Sequence, residues 1–215
     1  MTMTMINEGS LETEQIITYA PSISTLELPR LFYPVSYLGA VKLDFMEKLA
    51  GALGASFVDR EAVVGRSFRG QIAELPRSAG KTAKKLLEIG DDVVLNENQN
   101  GSDDRTNLTK IARTTGATTI CLSIKSSEEV ASRRVNQWVD EGVLQVPKSG
   151  LHPLDVMQKG SEKHQIPSQG EADYIIELDG TLGTTYLLDR VFEQLELHAL
   201  MDEALSGMDP RGLAS

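Results

Sequence analysis

The sequence predicts an α/β domain, a mainly parallel sheet of about five strands with helices on both faces. Three observations predict it. Short apolar runs of strand length recur: LFYPV at 31–35, FV at 57–58, VVL at 93–95, TTICLSI at 118–124 and YIIEL at 174–178. Stretches with apolar residues at helical spacing lie between them. Glycines stand where several of these stretches stop, at Gly54, Gly90 and Gly116, as helix C′ positions favour.

Taken in order, residues 1–13 are polar and expected to be flexible, 14–205 form a single domain, and 206–215 are a tail. Gln15 to Ala20 is a short apolar piece that either joins the sheet or lies across its edge. Leu31 to Val35 is a continuous apolar run suited to a central strand, although Pro34 donates no ladder hydrogen bond. Leu43, Met46, Leu49 and Leu53 give the first helix. Further helices are expected at 81–89 and 104–115. Another runs from a Ser126 cap, with Glu129 three residues on, through Trp138. Residues 140–170 read as a long irregular connection, rich in Gly and Pro. A long amphipathic helix from Gly183 to about Leu205 closes the domain.

Composition narrows the function. With 215 residues and 40% hydrophobic content the chain can bury a core of its own. A net charge of −10 argues against an electrostatic grip on nucleic acid, which needs clustered Lys and Arg. It does not exclude a nucleotide in a local pocket. No apolar run reaches the roughly 20 residues that span a bilayer. The N-terminus has no signal-peptide pattern, so the cytosol is the expected compartment. Cys121, the single cysteine, lies in an apolar run and reads as a buried thiol. The histidines carry no metal-ligand pattern, and no metal site is assigned.

The chemistry-bearing motifs are SYLGAVKL at 36–43 after the first strand, and FVDRE at 57–61 ending the second. VVLNENQN at 93–100 follows, with Arg105 after it, then SRRVNQW at 132–138 and HQIPSQGEADYIIELDG at 164–180. Their order resembles the P-loop kinases, in particular the small kinases related to zeta toxins and polynucleotide kinases, over nearly all of 31–200. The resemblance implies a three-layer α/β/α P-loop kinase-like fold and a site for ATP and Mg²⁺. In that frame Ser36, Gly39 and Lys42 belong to the phosphate loop and Arg105 to the family's arginine position. Asp59 is the base that accepts a substrate hydroxyl proton, and Arg133 and Arg134 are lid arginines.

Each of these residues also has a plainer reading. Asp59 suits a strand-end cap, and the two lid arginines suit an exposed helix edge beside one buried aromatic. A second GKT signature, Gly80-Lys81-Thr82, has Leu75 where a glycine is required and falls in the helix before VVLN.

The loop departs from the family pattern at decisive places. Val41 stands for a glycine, although a nest of backbone N–H groups needs residues that adopt unusual dihedrals. Leu43 stands for the Ser/Thr that binds Mg²⁺, and Asn96 stands for an acid. The sequence therefore predicts a degenerate kinase-like protein acting through a protein partner or as a homodimer. The alternative is an ATP-dependent phosphotransferase acting on a small hydroxyl-bearing substrate or a nucleotide.

Overall fold

The computed structural model describes residues 28–41, 44–59, 79–97, 99, 101–144 and 152–206. Five strands form one sheet: β1 (Arg30–Val35), β2 (Ser56–Asp59), β3 (Val93–Asn96), β4 (Thr118–Lys125) and β5 (Tyr174–Asp179). The helices are α1 (Phe45–Leu53), α2 (Ala79–Glu88), α3 (Ser102–Thr115), α4 (Glu128–Asp140), α5 (Pro153–Glu162) and α6 (Thr184–Ser206). The strand order is β2-β3-β1-β4-β5, and every pairing is parallel. The predicted α/β architecture is therefore the observed one.

The continuous apolar runs of β1 and β4 follow from burial on both faces. Leu31, Tyr33 and Val35 of β1 face α2 and α3 through Ala83, Leu87, Leu108 and Ala112. Phe32 points the other way, into Phe45, Leu49, Leu187 and Val191 of α1 and α6. This alternation is the period of a strand covered on both sides.

Pro34 sits in the central strand without breaking it. The β1–β3 register runs only through Leu31 and Phe32, and the Pro34 carbonyl accepts from Gln99 N–H at 3.1 Å. At the opposite edge Asp92 accepts from the backbone N–H and guanidinium of Arg30, fixing where β1 begins.

Two expectations need correction. The cap of α4 is Ser127, whose hydroxyl accepts from Val130 N–H. Ser126 instead offers its carbonyl to Tyr37 Oη. The 140–170 connection also contains α5. His152 and Asp155 form a reciprocal capping box there, Pro153 occupies the first turn, and Met157 is buried. A histidine cap lies outside the Ser/Thr/Asp/Asn signature by which helix starts are read. The Gln15–Ala20 piece, Lys42, Leu43 and residues 60–78 lie outside the described residues.

Candidate functional site

In open parallel sheets ligands bind at the carboxyl ends of strands, where connections diverge to the two sides. Here β1 lies at the centre, with the chain leaving it toward β2 on one flank and leaving β4 toward β5 on the other. The loop at 36–41 and the Ser126–Ser127 turn therefore border the crevice. Helix α1 follows the loop because Phe45, Met46, Leu49 and Ala50 form its buried stripe.

The loop is occupied by its own side chains. Tyr37 and Leu38 pack in an apolar cluster with Ala131 and Val135 of α4, Met157 of α5 and Trp138. The Tyr37 hydroxyl donates to the Ser126 carbonyl, and its ring stands edge-on to His164. Gly39 takes φ +83°, and a Cβ there would lie 2.5 Å from the Ala131 carbonyl oxygen. The backbone of α4 thus rests on the loop, at a distance only glycine permits.

Arg134 closes the other side. Its guanidinium donates to the carbonyls of Gly39 at 3.1 Å, Ala40 at 3.0 Å and Thr181 at 3.4 Å. Burial and neighbouring Arg133 lower its pKa, with Asp179 acting in the opposite direction. A phosphate cradle presents N–H groups; at Gly39 and Ala40 this loop presents oxygens to a cation. Asp44 adds a carboxylate immediately before α1, paired with Lys48 at 2.9 Å. That helix N-terminus is where an anion would otherwise be favoured. Positions 37–40 thus present packed side chains and two carbonyls bound by Arg134 where a phosphate nest would present N–H groups.

At the next strand ends, Asp59 and Asn96 are direct register partners, both half-buried. The sequence reading places its base and its missing acid at these two positions, and the fold brings them together. Arg105 is not part of that edge. It is 1% exposed, with Nε and Nη2 both 2.9 Å from Glu171 Oε2 and Nη1 3.0 Å from the Gln99 carbonyl.

Glu171 also accepts from Ser168 N–H and from the Ser102 hydroxyl, while its carbonyl receives the Tyr33 and Thr109 hydroxyls. Burial alone would raise the Glu171 pKa; the bonds from Ser102, Ser168 and Arg105 outweigh it and hold the carboxyl below its usual range. Sequence reasoning quoted the segment containing Glu171 without assigning it a role.

Arg133 is exposed. With Asp44, Arg134, Trp138 and Thr181 it lines an open cavity of about 480 Å³. Ser36 is buried, with 4% exposure. The second GKT lies within α2, where Thr82 is buried between Ala79 and Ala83 against the core. The fold places it after β2 and not after the central strand. Among the described residues no group of three or more His, Cys, Asp or Glu side chains is arranged to hold a metal, and no helix is long and apolar enough to cross a membrane. Tyr37, Leu38 and Asp44 are the residues that sequence reasoning passed over. The signal was available, since an aromatic, a leucine and an acid are poor occupants of a phosphate loop.

Family models give no match to the chain, and no curated protein matches its sequence. Solved structures do match. A putative kinase from Chloroflexus aurantiacus superposes with a TM-score of 0.58 at 16% identity, covering 80% of this chain and 98% of that one. A gluconokinase from Sinorhizobium meliloti gives 0.55 at 16% identity, over 85% and 98%. The APS kinase of Mycobacterium tuberculosis, solved with AMPPNP and APS, gives 0.51 at 15% identity, over 79% and 98%. The fold of this chain is that of the P-loop kinases.

Proposed function

We propose that this chain is a degenerate P-loop-kinase-like protein that works by binding a protein partner or a second copy of itself, without transferring phosphate. One observation carries the reading. Tyr37 and Leu38, inside the segment that would cradle a phosphate, are packed under α4 and α5 in a shared apolar cluster. Arg134 holds the loop's carbonyls, and Val41, Leu43 and Asn96 replace a glycine and two magnesium supports. Restoring one of these would leave the others in place. The expected compartment is the cytosol.

A kinase reading is favoured by a different observation, the pairing of Asp59 with Asn96 at the carboxyl edge of a sheet shared with several kinases. It would require Lys42 on phosphate and Arg133 turned inward. Arg105 serves neither reading as a cofactor ligand while it is bonded to Glu171.

Thermal unfolding with and without Mg·ATP separates the two, because a ligand that binds only the native state raises the melting temperature. The proposal expects no rise at millimolar Mg·ATP. A concentration-dependent rise that Lys42→Ala abolishes would favour the kinase. Sedimentation velocity on the same sample reports self-association.

A further inference from the structure

Helix α5 is followed by a histidine that packs against Tyr37 of the loop after β1. His164 lies just past the end of α5, its ring 5.8 Å from that of Tyr37 at an interplanar angle of 76°. Both ring nitrogens are closed off from solvent and have no hydrogen-bond partner among the described residues. A neutral imidazole tolerates this poorly; an imidazolium, with two donors and a charge, tolerates it far less.

The charges acting on the ring are Lys125 at the end of β4 and Arg105 of α3, both positive. The acids nearby are directed elsewhere. Glu177 pairs with Lys125 and Glu171 with Arg105, while Glu128 acts on the Tyr37 hydroxyl. Burial, then Lys125 and Arg105, push the His164 pKa down. Tyr37, Trp138 and Met157 of α5 belong to one small cluster, and α5 packs chiefly on α4. A helix with so limited a footing can open locally while the sheet stays intact.

We propose that His164 is an acid-sensitive latch, and that its protonation drives the ring away from Tyr37 and lifts α5 off the loop after β1. The direction follows from linkage. The unfolded or open chain takes up the proton at the ordinary histidine range and the closed form only at lower pH. The closed form therefore loses stability as pH falls through that window, and loses no more once both forms are protonated. His152, at the other end of α5, accepts from Leu154 N–H through Nδ1, and its backbone N–H donates to the Asp155 carboxylate. His198 stacks on Tyr174, on α6.

Trp138, the single tryptophan, is the reporter. Its emission in the full chain is followed from neutral pH downward, with far-UV circular dichroism recorded alongside. The expected result is a red shift fitted by one proton, with a midpoint below the ordinary histidine value of about 6.5 and no loss of secondary structure. His164→Phe keeps the aromatic contact and should remove the shift, whereas His152→Asn, a good cap, and His198→Gln should keep it. If His164→Phe does not fold, His164→Gln serves as the non-titrating variant. A flat wild-type profile, a shift that survives both His164 variants, or a shift that coincides with loss of secondary structure overturns the proposal.

Discussion

Arg105 and Arg134 are comparable in one respect: the family resemblance offers each of them to a phosphate. The fold turns both inward, with different results. Arg105 is matched by a carboxylate and two carbonyls in a nearly dry site, so its charge is cancelled and its role is to anchor the 165–171 segment to α3. Arg134 donates to three backbone carbonyls, and the acid acting on it, Asp179, accepts from Thr181. One region is a closed ion pair; the other is a loop whose carbonyls are held by an arginine.

Removing the first fastener should have the largest effect. Arg105→Met leaves the partly buried Glu171 without its cation, and should cost up to about 3–5 kcal/mol, the loss for a broken buried pair. Urea unfolding should show that loss, and pairing the change with Glu171→Gln should recover part of it. A loss no larger than that of an exposed pair, about 1 kcal/mol or less, would break the contrast.

Gly39→Ala comes next. A left-handed backbone with a Cβ costs about 1–2 kcal/mol, and the contact with Ala131 adds overpacking of about 1–3 kcal/mol. Arg134→Ala should cost less, about 1–2 kcal/mol, because its partners are carbonyls at a partly solvated edge. It should also speed proteolysis at the loop.

The smallest effect concerns pH. With its folded pKa lowered, Glu171 contributes stability that is present above the ordinary carboxylate range and lost as pH falls through the folded value. Acid unfolding should keep this component in Arg134→Ala and lose it in Glu171→Gln. Equal loss in both variants would show that the two regions are coupled.

The sheet was legible because burial on both faces writes itself as unbroken apolar runs, as in Leu31–Val35 and Thr118–Ile124. Glycine stops marked helix ends at Gly54 and Gly116, where the backbone is left-handed. The expectation of a degenerate loop rests on Val41, with a Cβ where a phosphate nest favours glycine, and on Leu43 and Asn96, without the hydroxyl and the carboxylate that support Mg²⁺. What fills the loop was not legible. That Tyr37 and Leu38 fill the loop depends on α5, which begins at a histidine cap and carries Gly160 inside it. The partnership of Arg105 with Glu171 spans 66 positions and leaves no local pattern, so the arginine looked available. Cys121 was read correctly from its neighbours; it is buried, and burial pushes its thiol up to about 12.

The central claim is that the loop after β1 is closed to phosphate by its own side chains. Isothermal titration of Mg·ATP into the wild-type chain, with Lys42→Ala beside it, tests this directly. The account predicts no saturable heat at millimolar nucleotide in either protein. Saturable binding near one site per chain, lost in Lys42→Ala, would contradict it.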